Sequence, residues 1–270
     1  MKQLFLILLL MAGIVGHSAP RSYKISSPDG NIVVTINAGD DIRWSASFQG
    51  KEIISSVKAG LISGTGKTFG EKEAVRRAQY GKINEILEPV VAHKHSRIED
   101  KCNTLLLTFR SGFALNFRVY DDGIAYRFET SLKDDLIIKN EISEFRFPAG
   151  SYSWYPLEES FMSHNEMQYI YLLADTLKNK HLASLPALFT ADGVNVLLTE
   201  ADIQDYPGMW IRGTGSGGLK AVFPPYPETE VLKGDRNLFV TKTKDHIAQT
   251  SGTRTRSEEH TSELQSPNTI

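Results

Sequence analysis

Apolar and polar residues alternate in short runs along much of this chain, and turn residues separate the runs. Residues 31–37 place Ile32, Val34 and Ile36 between polar neighbours, and residues 42–48 repeat the alternation. A period of two over such lengths is typical of antiparallel strands that bury one face. At least a dozen strand candidates occur, with little convincing helix and no internal repeat. The sequence therefore predicts an all-β fold: a large antiparallel two-sheet β-sandwich in one domain, with few short helices.

Asp-Gly pairs mark hairpins within this pattern. Residues 121–123 (Asp-Asp-Gly) lie between two alternating runs in the stretch 117–128, and an Asp-Gly pair at 192–193 lies within residues 185–198. Asp-Gly suits a tight hairpin because the central turn positions require positive φ. The sequence predicts a hairpin at each place.

Two segments depart from the alternation. Residues 71–88 are charged and weakly patterned, which favours a short helix or an irregular excursion. Residues 151–156 are rich in aromatic side chains and are typical of a loop. Aromatic faces can stack on sugars, but packing at a sheet corner is their more common use.

Composition excludes several classes of function. The formal net charge is -2 and no basic stripe is present, so nothing favours a nucleic-acid partner. Cys102 is the single cysteine, which excludes an intramolecular disulfide and a cysteine zinc site. Its strand context predicts a small core or edge residue. A near-neutral chain with many aromatics suits an uncharged substrate such as a sugar.

The N-terminus has the pattern of an export signal. Lys2 precedes an apolar run at residues 4–15, which is too short to span a bilayer comfortably, and small residues follow at 16–19. A buried N-terminal helix is the alternative. We expect residues 1–19 to be a signal peptide and the exported protein to have no membrane segment after cleavage.

Carboxylates are concentrated where one strand pattern ends. The apolar run at 194–198 is followed by Glu200, Asp202 and Asp205, and then by a Tyr-Pro-Gly turn at 206–208. Carboxylates beside aromatic side chains suit a hard cation or a network of sugar hydroxyls. A polar loop between two strands is the plainer interpretation, and it stays open on the local pattern alone.

The last residues differ from everything before them. Residues 256–270 are polar and without period, and residues 256–266 resemble the translation of a common sequencing adapter. We therefore expect an artefactual or disordered tail. An ordinary disordered tail is the alternative.

Several stretches together resemble one known family. They are residues 27–31, the hairpin at 117–128, the segment 199–209 and residues 250–255. In order and spacing they resemble the N-terminal domain of glycoside hydrolase family 97, which comprises exported bacterial α-glucosidases and α-galactosidases. The resemblance covers about residues 22–255.

The resemblance implies an N-terminal β-supersandwich of the galactose-mutarotase type, a catalytic (β/α)8 barrel and a small C-terminal β domain. It implies that Glu200 helps to hold a calcium ion, and that the barrel supplies the other calcium ligands and every catalytic carboxylate. Glycoside hydrolysis needs two opposed carboxyl groups and calcium takes about six to eight oxygens, which Glu200 alone cannot provide. We expect this chain to be inactive alone, periplasmic or extracellular, and partnered with a barrel and an oligosaccharide or α-glycoside.

Two other hypotheses remain open. The chain could be a stand-alone carbohydrate-binding sandwich, or an aldose-epimerase-like enzyme with a His/Glu acid–base pair. Four histidines lie in charged, unpatterned contexts and are better interpreted as surface residues; they are His93, His95, His164 and His181. For a domain that packs on a barrel, we predict an exposed apolar patch near Glu200, Tyr206 and Trp210.

Overall fold

A computed structural model of the chain describes residues 21–250, except for residues 92–93, 133, 202, 204–205, 216 and 235–236, together with the backbone of residues 268–269. The described residues form antiparallel strands and one short 3-10 helix at Ala174–Thr176. The strands are β1 (Arg21–Ser26), β2 (Ile32–Ala38), β3 (Ile42–Phe48), β4 (Lys51–Ser63), β5 (Thr68–Phe69), β6 (Val75–Leu87), β7 (Ile98–Phe109), β8 (Phe113–Val119), β9 (Ile124–Thr130), β10 (Leu136–Arg146), β11 (Tyr152–Glu158), β12 (Tyr169–Leu173), β13 (Leu182–Ala183), β14 (Ala187–Ala191), β15 (Val194–Glu200), β16 (Trp210–Gly213), β17 (Gly218–Val222), β18 (Pro227–Lys233), β19 (Asn237–Thr243), β20 (Ala248–Thr250) and β21 (Asn268–Thr269).

The strands form two main layers and a separate hairpin. In the first layer the order is β1-β2-β3-β4-β10-β17-β16-β13, with β5 beside β4 and β20 beside β10. The second layer contains the ladder β6-β7-β8-β9 and the ladder β15-β14-β11-β12, with β21 between β9 and β15. Strands β18 and β19 pair only with each other among the described strands. The all-β sandwich prediction is confirmed.

Strand β11 passes from one layer to the other. Its residues 152–154 pair with β12 and β14, whereas residues 157–158 pair with β13. A strand that changes sheets in this way forms a corner of a sandwich. The aromatic segment 151–156 therefore belongs mostly to a strand, and its interpretation as a loop was wrong.

The alternation in the sequence becomes the core between the layers. Ile32, Val34 and Ile36 are buried on one face of β2. Trp44 of β3 is buried against Phe117 and Tyr126 of the opposite layer, in edge-to-face contacts with ring centroids 5.8 and 5.5 Å apart. Such contacts add to the stabilisation that burial of the rings provides.

Residues 71–88 contain a long strand, so the expected helix or irregular excursion was wrong. Strand β6 pairs with β7 along almost its whole length, and most of its side chains are exposed. It lies at the edge of its ladder, where both faces are largely exposed, so burial imposes little alternation on its sequence. Its partner β7 supplies the register instead.

Both Asp-Gly hairpins are present, as β8–β9 and β14–β15. Cys102 is buried, as its strand context predicted. Among the histidines expected at the surface, His95 and His164 are exposed and His181 is half-buried, while His93 is outside the described residues. In the described part of the chain, no helix has the length and apolar character needed to cross a membrane. The expected signal peptide is outside the described residues, as is nearly all of the expected tail.

Candidate functional site

Glu200 is the last residue of β15, where the strand leaves the core. Val196 and Leu198 point inwards from this strand and are buried, whereas Glu200 is half-buried. Its backbone is fixed by the β14–β15 pairing on the preceding residues. The strand thus places a carboxylate at the boundary between the apolar core and the surface.

The turn that follows returns to meet this carboxylate. The backbone N–H of Met209 donates a 2.8 Å hydrogen bond to Oε2 of Glu200. A β-carbon on Gly208 would lie 3.8 Å from the same oxygen. Met209 is buried, so the Pro207–Gly208 turn is closed against the core with Glu200 at its base.

A second carboxylate lies close by on another strand. Glu141 of β10 is only 1% exposed. Its Oε2 accepts a 2.9 Å hydrogen bond from the hydroxyl of Tyr206, and its Oε1 accepts a 2.7 Å bond from Ser143. The Ser143 hydroxyl lies 3.1 Å from that of Tyr126 on β9. The region therefore collects groups from both layers and from the segment between β15 and β16.

Burial and the nearby carboxylate both change the pKa of Glu200. This pKa is raised to about 7, because burial and the negative charge of Glu141 raise it by more than the Met209 N–H lowers it. The pKa of Tyr206 is also held well above its ordinary value. Burial is the largest cause, and the negative charge of Glu141 and its hydrogen bond to Tyr206 add to it. The Tyr206 hydroxyl is therefore protonated at neutral pH and remains a donor. Proximity to a like charge and removal from water both disfavour the ionised form of Glu200.

These properties fit one part of a cation site. A carboxylate whose ionised form is disfavoured by burial and by a like charge is stabilised when a cation binds. Within the described residues, no group of three or more His, Cys, Asp or Glu side chains is arranged to hold a metal ion. Calcium takes about six to eight oxygens. Glu200 is thus suited to be one ligand, and the described residues do not supply a complete set.

The other candidates from this stretch have different outcomes. Asp202 and Asp205 are outside the described residues. Trp210 is 8% exposed and packs edge-to-face against Phe161, with ring centroids 5.4 Å apart. Trp210 is therefore covered by the sandwich itself, and the expected exposed patch was wrong at this residue. Tyr206 is half-buried and points its hydroxyl inwards.

Sequence reasoning missed Glu141 and Ser143. Both lie on inward-facing positions of β10, in register with buried Phe145 two residues further on. A polar residue at an inward position of a strand requires a hydrogen-bonding partner. That signal was present in the alternation of residues 141–147.

An exposed aromatic cluster lies elsewhere, on β11 and β12. The rings of Tyr152 and Tyr171 stack with centroids 5.0 Å apart and an angle of 7° between planes, and Trp154 lies 4.9 Å from Tyr171. These side chains are 43%, 52% and 44% exposed, respectively. Their surroundings leave large aromatic faces in water, which is unusual unless a partner covers them.

Fold and site define a class: an all-β, sandwich-like domain that presents a half-buried carboxylate at a strand end. The chain matches the glycosyl-hydrolase 97 N-terminal family over residues 25–263, and it belongs to that family.

Relatives agree with this assignment. The chain is 28% identical over 262 residues to a retaining alpha-galactosidase of Bacteroides thetaiotaomicron, an alignment that covers 92% of this chain and 39% of that protein. A glycoside hydrolase family 97 enzyme from Pseudoalteromonas sp. strain K8, solved in complex with acarbose, is similar with a TM-score of 0.70 and 19% identity, over 85% of this chain and 34% of that one. A beta-arabinopyranosidase gives a TM-score of 0.68 and 19% identity, over 75% and 35%. The two solved structures show a shared fold, and the chain spans well under half the length of each relative.

Proposed function

We propose that this chain is the N-terminal domain of an exported α-glycosidase, in which Glu200 helps to hold a calcium ion beside the sugar site. The observation that carries the proposal is the half-buried Glu200 carboxylate, whose pKa is raised to about 7 beside a second buried carboxylate. A bound calcium ion would supply positive charge that positions sugar hydroxyls or stabilises developing negative charge. The role of this chain is to orient one ligand and to form part of the wall of the site.

The proposed substrates are α-linked galactosides or glucosides. The curated relative is named a retaining alpha-galactosidase, and one structure of the Pseudoalteromonas enzyme contains panose. Because the chain spans 39% of that relative, we propose that the catalytic carboxylates lie in a barrel that this chain does not contain. We also propose that residues 1–19 direct export from a bacterial cell.

Sequencing the genomic locus across codon 255 tests the first part of the proposal. We expect the reading frame to continue into a barrel with further carboxylates. The longer protein should hydrolyse p-nitrophenyl α-galactoside or α-glucoside, and should lose activity with a chelator and regain it with calcium. A true stop codon after residue 270 would contradict the proposal.

The role of Glu200 is tested in the same longer protein. Glu200→Gln should weaken calcium binding by at least tenfold in calorimetry, because the amide lacks the negative charge on which calcium affinity depends. Glu144→Gln is the matched control, since Glu144 is exposed on strand β10. Equal calcium affinity in the two variants would exclude Glu200 as a ligand.

A stand-alone carbohydrate-binding role is the second candidate, and the Tyr152–Trp154–Tyr171 cluster favours it. Exposed aromatic faces can stack on the CH faces of sugars. The 270-residue chain should then bind malto- or galacto-oligosaccharides with a change in tryptophan fluorescence that Trp154→Ala removes. Tyr80→Ala is the control, because Tyr80 is 59% exposed on the distant strand β6. No binding at millimolar sugar would remove this candidate.

A further inference from the structure

The segment at residues 206–209, which leads into β16, is attached to the core by two hydrogen bonds. At its start, Tyr206 donates to Glu141, across 65 residues of sequence. At its end, Met209 donates through its backbone N–H to Glu200. Only the short Pro207–Gly208 turn separates the two attachments, so a movement at the first is passed directly to the second.

The first attachment is built for rigidity. Glu141 and Ser143 are each 1% exposed, and Tyr126 is 2% exposed. The hydrogen bonds run from Tyr126 through Ser143 and Glu141 to Tyr206, and so join β9, β10 and the segment. A buried carboxylate must be supplied with donors, and the loss of one such bond leaves a costly unsatisfied group. Tyr206 is therefore hydrogen-bonded to a carboxylate that is itself buried and bound by Ser143.

From this geometry we infer that Glu141 is a positioning residue for Glu200, acting through the Tyr206 hydroxyl and the Pro207–Gly208 turn. The inference deepens the proposed function and rests on it for its consequence, since a fixed Glu200 favours cation binding by preorganisation. Glu141 is placed to fix the segment, because Tyr206 and Ser143 already occupy both of its oxygens.

Hydrogen exchange at the Met209 amide tests the positioning directly, in the isotopically labelled 270-residue chain by NMR. Exchange should become about tenfold faster in Tyr206→Phe and in Glu141→Ala, because the turn is released from the core and opens more often. Glu141→Gln should stay within about threefold of the original chain, because its side-chain carbonyl can still accept from Tyr206. Tyr206→Phe keeps the test valid if Glu141→Ala fails to fold.

The matched control is Tyr120→Phe, which removes a similar bond from a tyrosine hydroxyl to a carboxylate, that of Asp100. It should leave Met209 exchange unchanged. Unchanged exchange in both Tyr206→Phe and Glu141→Ala would overturn the inference, as would equal acceleration in Tyr120→Phe, which would indicate general loosening. A Glu141→Gln variant as fast as Glu141→Ala would show that charge matters and hydrogen bonding does not, and would also overturn it.

A second readout separates this inference from the proposed function. Terbium luminescence, sensitised by nearby aromatic side chains, reports cation binding to the longer protein that contains the proposed barrel, and to its variants. Loss of the signal in Glu200→Gln, together with weakening by about tenfold in Tyr206→Phe, supports both ideas. Luminescence that is insensitive to Glu200→Gln counts against the proposed cation role, whereas the Met209 exchange data still decide the positioning role.

Discussion

Two regions of this molecule combine tyrosine hydroxyls with buried carboxylates, and they differ in what neutralises the charge. At the start of β7, Asp100 accepts a 3.0 Å hydrogen bond from Tyr120 and lies 3.4 Å from the guanidinium of Arg118. At the end of β15, Glu200 accepts from a backbone N–H and lies in the field of another carboxylate, Glu141. Both regions are small clusters of polar side chains at the edge of the same apolar core.

The difference lies in whether the fold itself supplies the counter-charge. Asp100 has a cation within its own fold, so its region is complete without a ligand. Within the described residues, no Lys, Arg or His forms an ion pair with Glu200, and its pKa is raised to about 7. A carboxylate in this condition is stabilised by a proton or by a cation from outside the domain. Carboxylates with strongly shifted pKa values occur at functional sites more often than carboxylates in ordinary ion pairs do.

The largest expected effect concerns the pH dependence of stability at Glu200. Its pKa is higher in the folded state than its ordinary value, so the folded chain binds more protons between about pH 4.5 and 7, and stability falls as pH rises through that window. A shift of this size corresponds to at most about 3 kcal/mol. Glu200→Gln should remove this fall, and the variant should gain stability relative to the original chain at pH 8 but not at pH 4.

Urea denaturation at pH 4, 6 and 8, in the presence of a chelator, measures this difference. Glu144→Gln serves as the control, because Glu144 is exposed. If the original chain and Glu200→Gln showed parallel pH profiles, the contrast between the two regions would lose its electrostatic basis.

The next effect in size concerns the region with its own cation. Arg118→Met should destabilise the chain by about 1–2 kcal/mol at pH 7, because Asp100 would remain buried without its counter-charge. The value is below that of a fully buried pair because Arg118 is partly exposed to water. Denaturation midpoints at pH 7 give the result. Stabilisation on removal of Arg118 would mean that Asp100 does not depend on Arg118 for its counter-charge.

Much of the fold could be predicted from the sequence because burial imposes a period of two. Strands β2, β3, β8 and β9 follow the alternation directly. Strand β6 could not be found in this way, because both its faces are largely exposed and only its pairing with β7 makes it a strand. Strand β11 was hidden for another reason: it changes layers, so no single face of it is buried throughout.

The site was predictable only in part. The end of an apolar strand and a cluster of carboxylates drew attention to Glu200, and its family resemblance suggested a role. Nothing in sequence spacing links Glu200 to Glu141, which is 59 positions earlier. Glu200 and Glu141 are brought near each other by the packing of β10 and by the course of the chain at residues 206–208. The local sequence pattern predicts neither of these.

The smallest expected effect compares the two tyrosine hydroxyls. Tyr206→Phe should cost about 1.5 kcal/mol, because it leaves the buried Glu141 with one donor fewer. Tyr120→Phe should cost less, about 0.5–1 kcal/mol, because the guanidinium of Arg118 still donates to the Asp100 carboxylate after the hydroxyl is removed. Burial raises the pKa of Tyr120 to about 12 and holds that of Tyr206 well above its ordinary value, so both are donors at pH 7 and the comparison is like for like. Denaturation at pH 7 measures both costs. A larger loss in Tyr120→Phe would show that the β7 region, and not the site beside Glu200, contains the more demanding hydrogen bond.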